Sequence, residues 1–207
     1  MEKVLDIYKL PYNKEYPVVC MDESPKQLIK ETRVPILASS GRLERHDYEY
    51  ERCGVCNVFM ASEPLAGKRM VKITERKTKL EWANFIKEIS ENYQNAKKII
   101  LIMDNLNTHS AASLYEAFSA KAAKEIWDRF EFIYTPKHGS WLNMAEIELN
   151  VLTGQCLNGR IESMTKAKKM VEVWTKCRNN KNAKINWQFT TDDARIKLHR
   201  LYPTVEA

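Results

Sequence analysis

Short, continuous apolar runs and stretches whose apolar positions recur every three or four residues follow one another along the chain, and together they predict strands and helices in a definite order. Tyr16 to Met21 (YPVVCM) is a valine-rich run read as a buried strand, which delivers Asp22 at its C-terminal end. The polar stretch from Glu23 to about Arg45, punctuated by proline and glycine, predicts a long loop. Tyr48 to Ser62 and Met70 to Thr74 read as two more strands flanking the turn-like Pro64-Leu65-Ala66-Gly67, which makes an antiparallel meander of three. From Thr78 the period changes: Leu80, Ala83, Ile86, Ile89 and Tyr93 line one side of an amphipathic helix. Lys98 to Met103 (KIILIM) is apolar on both faces, the mark of a central strand, and it ends at Asp104. A helix in two pieces from Ser110 to about Arg129, a strand over Glu131 to Tyr134 and a helix over Trp141 to Cys156 follow. A helix from about Thr165 to Asn179 comes next, and the last begins near Thr191, taken as its N-cap, and runs to Tyr202.

Three strands, helix, strand, helix, strand, helix is the order of the ribonuclease H-like fold. The predicted class is therefore α/β: a mixed five-stranded sheet, three antiparallel strands then two parallel additions, flanked by helices and followed by a C-terminal helical extension. Residues 1–159 are expected to form the catalytic domain and 160–207 a basic helical extension packed on it. In such a sheet the first and fourth strands are neighbours. Their C-terminal ends set Asp22 beside Asp104, where α/β sheets keep their sites, and the third acid lies on the later helix. Three carboxylates brought together repel one another unless divalent metal is bound, so the cluster points to metal chemistry on phosphodiesters.

Composition adds two limits. With 207 residues and 44% hydrophobic content the chain can bury one ordinary core. The longest apolar run, Ile99 to Met103, is far short of the roughly 20 residues a membrane helix needs, so no membrane partner is expected and a cytoplasmic, nucleoid-associated location is. Five cysteines at irregular spacing describe no disulfide framework and are taken as mostly buried. Cys53-Gly54-Val55-Cys56 lies in a strand pattern with no matching second pair, so it is read as neither a zinc nor a redox motif. The net charge of +6 is localised: between Arg160 and Asn186 stand eight basic and two acidic residues. Lys168, Lys169 and Lys176 point outward from the predicted helix there, either as a solvated face or as a surface for phosphates.

VVCMDE around Asp22, LIMDNLNTH around Asp104 and YTPKHGSWLNMAEIEL leading to Glu146 resemble the DDE transposases of bacterial insertion sequences related to the mariner elements. WQFTTDDARIKLHRLYP is similar to the usual C-terminus of those proteins. The resemblance implies a catalytic set of Asp22, Asp104 and Glu146 holding two Mg²⁺ ions, with Mn²⁺ able to substitute. It also implies cleavage of double-stranded DNA at element ends, insertion at a TA dinucleotide, and a homodimer on DNA. Two features depart from the family: 41 residues separate Asp104 from Glu146, predicting a longer intervening helix, and only 21 precede Asp22. Family members carry helix-turn-helix modules in that N-terminal position, and none fits in such a length. The expectation is a catalytic half, whether a split-frame product paired with a separate helix-turn-helix polypeptide, a fragment or a remnant.

On the last catalytic helix Glu148 rivals Glu146. Two residues apart is about 200° of rotation, so the two face different ways; the motif selects Glu146. Asn105 and Asn143 are candidates to support a carboxylate or a metal-bound water. His109, near a predicted helix start, is read as touching DNA or orienting a ligand, or else as a helix-capping or half-buried histidine. Lys137 and His138 are read as phosphate contacts. The same residues also fit an inactive remnant that binds DNA or a partner, or a general ribonuclease H-like nuclease or resolvase, although the latter should lack the Leu-Asn-x-x-Glu motif.

Overall fold

The protein is described by a computed structural model over residues 1–137 and 139–202. Strands β1 (Val18–Glu31), β2 (Tyr50–Glu63), β3 (Lys68–Thr74), β4 (Ile99–Met103) and β5 (Phe130–Tyr134) form one sheet in the order β3-β2-β1-β4-β5. β1, β2 and β3 pair antiparallel, while β4 joins β1 and β5 joins β4 in parallel. This is the expected ribonuclease H-like sheet. Its centre follows from β4: all five residues are buried, Ile100 and Ile102 toward one face and Ile99, Leu101 and Met103 toward the other. The first face is covered by α1 (Glu2–Tyr8), α5 (Ala145–Leu152), α6 (Met164–Asn180) and α7 (Thr191–Lys197), which contribute Leu5, Leu149, Val171 and Ala194 to its core. The second is covered by α2 (Lys79–Asn92), α3 (Ala111–Ala117) and α4 (Ala120–Asp128) through Trp82, Leu114 and Ala123. The interval between Asp104 and Glu146 holds two short helices, α3 and α4, then β5 and a 3-10 turn, in place of the longer helix expected.

Four expectations are corrected. β1 does not stop before Asp22 but runs on to Glu31, paired with β2 as far as Tyr50 apart from an irregularity between Gln27 and Ile29. The loop expected from Glu23 therefore starts only after Glu31. Main-chain pairing is blind to side chains, and a ribbon that outruns the core has no apolar face to betray it; of residues 24 to 31 only Leu28 is buried. Pro25 is tolerated because β1 has there passed the end of β4 and become an edge. Second, the helix expected over Trp141 to Cys156 is broken into a 3-10 turn (Ser140–Leu142), an extended Asn143, α5 and a π turn (Thr153–Leu157). Third, the last helix is capped by Thr190 rather than Thr191, in a capping box with Asp193, and α7 ends at Lys197 before a 3-10 turn over His199–Leu201. Fourth, only Cys20 and Cys56 of the five cysteines are buried, and Cys177 is exposed.

Helix α1 has no counterpart among the predicted elements. It buries Val4, Leu5, Ile7 and Tyr8, and the C-terminal segment closes over it: Thr191 Oγ1 donates to Asp6 Oδ1 at 2.6 Å and Arg195 pairs with Glu2 at 2.8 Å.

Candidate active site

The register between β1 and β4 places the first two acids. Cys20 lies opposite Ile102, so Asp22 and Asp104, each two residues further on, come level at the point where β4 ends and β1 continues. Asp22 sits on the face covered by α5, and Glu146 in the first turn of α5 completes the group. Burial pushes the pKa of Asp22 up to about 7; the N–H of Glu23, donating to its Oδ1 at 2.8 Å, opposes this, and the carboxylates of Glu23, Asp104 and Glu146 add to it. Asp104 and Glu146 are thus both near enough to disfavour the charge on Asp22. Among the described residues, however, no three His, Cys, Asp or Glu side chains form a ready chelate.

Asp104 leans toward His109. The Nδ1 of that ring lies 3.1 Å from the Asp104 carbonyl and 2.7 Å from its Oδ1. The hydrogen-bond angle suits the carbonyl, so the carboxylate contact is an ion pair. His109 holds Asp104 below the usual carboxylate range, against the opposing effect of burial. On its far side Nε2 lies 3.3 Å from Glu23 Oε2, and Trp82 stacks on the ring at 5.5 Å. Burial alone would depress His109, but Asp104 and Glu23 outweigh it and raise its pKa to about 9. His109 is thus a buried imidazolium between two carboxylates, 2% exposed, and the expectation that it touches DNA is corrected by that burial. Sequence reasoning passes over Glu23; strand alternation is the available signal, since it turns Glu23 away from Asp22 and toward α2.

Asn143 is also corrected. Among the described residues it reaches no carboxylate: its Nδ2 donates to the Met21 carbonyl at 2.8 Å and its Oδ1 accepts from the N–H of Ala145 at 3.2 Å. It ties the residue before Asp22 to the residue before Glu146. Glu148 is excluded as a ligand. It is fully buried, with both oxygens held by Arg69 (2.7 and 2.9 Å) and by Arg178 (2.8 and 3.0 Å).

Asn105 and Lys137 are exposed and line a cleft of about 580 Å³ together with Asp104, Thr135 and Ser140. His138 lies outside the described residues. Lys77, not picked out from sequence, stands 3.8 Å from Glu23 and helps to keep Asp104 ionised. Lys168, Lys169 and Lys176 are exposed on α6 and make no ion pair among the described residues, whereas Arg178 is spent on Glu148 and Arg160 on Glu31 at 2.5 Å. The basic surface is therefore narrower than the residue count implies. Val71, against which the lysine-bearing helix packs, is level with Met60 and so with Asp22. At about 4.8 Å per strand that is roughly 10 Å across the same face.

A parallel β1–β4 pair with acids level at its end, and a third acid on a helix over the same face, is the arrangement of ribonuclease H-like endonucleases. Residues 17–168 match the sequence profile of the DDE superfamily endonucleases, and the chain belongs to that family. Among solved structures it is similar to the Mos1 mariner paired-end complex with Mn, at 16% identity and TM-score 0.58 over 88% of this chain and 54% of that one. It is also similar to the Mos1 transposase paired-end complex with the left transposon end, at 13% identity and TM-score 0.58 over 88% and 56% of the two chains. For the Mos1 strand transfer complex the values are 13% and 0.57, over 88% and 53%. Likeness at these identities establishes the fold, and the chain spans about half the length of the Mos1 chains. No curated protein sequence matches.

Proposed function

We propose that this chain is the catalytic core of a DNA transposase of the insertion-sequence branch related to the mariner elements, cutting phosphodiesters at element ends and joining the freed 3′ end to target DNA. One observation carries the proposal: in a DDE superfamily endonuclease, Asp22 and Asp104 come level at the parallel β1–β4 pair, and Glu146 stands in the first turn of the helix over the same face. The chemistry of this donor set, hard oxygens on a strand, a strand end and a helix, fits Mg²⁺ or Mn²⁺. Asp22, Asp104 and Glu146 would hold two such ions, which when bound activate the attacking oxygen and neutralise charge on the phosphodiester. His109, itself held by Glu23, fixes the direction of Asp104 and keeps it ionised. Asn105 and Lys137 in the cleft beside Asp104, and Lys77 beside Glu23, are placed to receive the scissile phosphates, and the sequence offers His138 for the same role.

Residues 1–159 would then be the catalytic domain, with the extension from residue 160 presenting Lys168, Lys169 and Lys176 to the DNA backbone. Double-stranded DNA, a second copy of the chain and a helix-turn-helix segment or polypeptide are the partners this function requires. Supercoiled plasmid is expected to be nicked in Mg²⁺ or Mn²⁺ and left intact in EDTA. Cutting that ignores the chelator, or no cutting in either metal, would overturn the assignment. Replacing Lys168, Lys169 and Lys176 together by alanine should weaken DNA binding and flatten its salt dependence, by about 0.9 in the log–log slope for each phosphate no longer neutralised. A slope equal to that of the wild type would remove α6 from the DNA path.

A further inference from the structure

The short break between the 3-10 turn and α5 carries main-chain groups that no helix satisfies, and the segment is buried. Such groups need partners. Tyr8, from α1, supplies two: its hydroxyl donates to the Leu142 carbonyl at 2.7 Å and accepts from the Met144 N–H at 3.4 Å, with Cys20 Sγ also at 3.4 Å. Between those two points Asn143 reaches the other way, to Met21 and Ala145. The two side chains therefore interlock. Tyr8 touches Cys20 and brackets Asn143, and Asn143 touches Met21; the next residue on β1 is Asp22. On the helix side, Leu142, Met144 and Ala145 are all fixed, and the next residue is Glu146.

We propose that Tyr8 is a positioning residue for Asp22 and Glu146, setting their separation through the Leu142–Met144 segment, and that α1 is for this reason part of the active site's framework. The proposal rests on the assignment of those acids as metal ligands. Tyr8 is 8% exposed, and burial drives its pKa far above the ordinary tyrosine value, so the hydroxyl keeps its proton and remains a donor at any working pH. The ring has its own packing, 5.3 Å from Trp187, which a phenylalanine would retain. Removing only the oxygen leaves a buried carbonyl and N–H unpaired at the hinge between the two acids.

The test is Mn²⁺ affinity, read from the electron paramagnetic resonance signal of free Mn²⁺, well below the melting temperature of every variant. Tyr8→Phe is expected to raise the Mn²⁺ dissociation constant about tenfold, the lower end of the roughly 10–100-fold that loss of outer support costs a metal site. Thr191→Val is the structural control: it removes the bond to Asp6 that anchors α1 but leaves the Tyr8 hydroxyl in place. It should lower the melting temperature and leave Mn²⁺ affinity unchanged. A Tyr8→Phe protein with wild-type affinity, while Glu146→Gln binds weakly, overturns the role of Tyr8 alone. Equal losses in Tyr8→Phe and Thr191→Val overturn it too, since they would reveal general loosening of α1. Wild-type protein that takes up no Mn²⁺ overturns the ligand assignment and this proposal with it.

Discussion

Asp104→Ala is expected to cut metal-dependent plasmid nicking by about a thousandfold or more while the protein remains folded. The magnitude follows from the metal-holding role proposed for the residue. A metal-held phosphodiester gains several kcal/mol of transition-state stabilisation, and each 1.4 kcal/mol or so is about tenfold in rate. The fold should survive because Asp104 lies after the last buried residue of β4, with its side chain 38% exposed, and contributes nothing to the core. The same substitution frees His109 of one of its two carboxylates, so the imidazolium pKa, raised to about 9 in the wild type, should fall. A histidine titration followed by NMR would show this without any metal present. Full nicking activity in Asp104→Ala would remove the residue from the site, whereas lost activity with an unmoved His109 titration would contradict the ion pair.

Much of this site is legible in the amino-acid sequence, and the reason differs from residue to residue. Asp104 follows KIILIM, a run so uniformly apolar that only a central strand accommodates it, and a strand fixes where its last side chain stands. Asp22 is legible as an acid beside a strand, but its place in mid-strand is not, because the outer half of β1 is a ribbon held by main-chain bonds. Tyr8 and Glu23 escape notice for another reason. A seven-residue helix carries too few turns to display a period, and the importance of Tyr8 lies in a segment 134 residues away. Asn143 stands out in the motif as a polar residue, yet its partners are main-chain atoms, which sequence never displays. The basic segment misleads in the opposite sense: Arg160 and Arg178 look like phosphate ligands until Glu31 and Glu148 appear opposite them.

Glu148 also provides the largest expected effect on stability. It is completely buried, and Arg69, its main partner, is equally enclosed, with a side chain 1% exposed. The guanidinium of Arg69 also donates to the carbonyls of Gly67 and Ala183, and the Asn179 side chain pairs with the Arg69 main chain at 2.9 Å in both directions, so the cluster binds β3, α5 and the end of α6 into one unit. Glu148→Leu would strand the positive charge of Arg69 in the core with only carbonyls for company. Breaking a buried pair in this way costs about 3–5 kcal/mol. Replacing Glu148, Arg69 and Arg178 together by apolar residues of similar volume should cost far less, because no charge is left unpaired.

The pH dependence has a definite sign. Burial alone would raise the pKa of Glu148, but Arg69 and Arg178 overcome it and hold the group below its ordinary value of 4.5. A carboxylate depressed on folding contributes stability that is fully present above the unfolded value and is lost as pH falls through the folded one. Wild-type stability in urea should therefore drop below about pH 4.5 more steeply than that of the triple apolar variant. Any loss of nicking in Glu148→Leu should track the fraction unfolded, in contrast to Glu146→Gln, which should lose activity while folded. A Glu148→Leu protein as stable as the wild type would show that the buried charges find other partners, and would reopen the choice between the two glutamates.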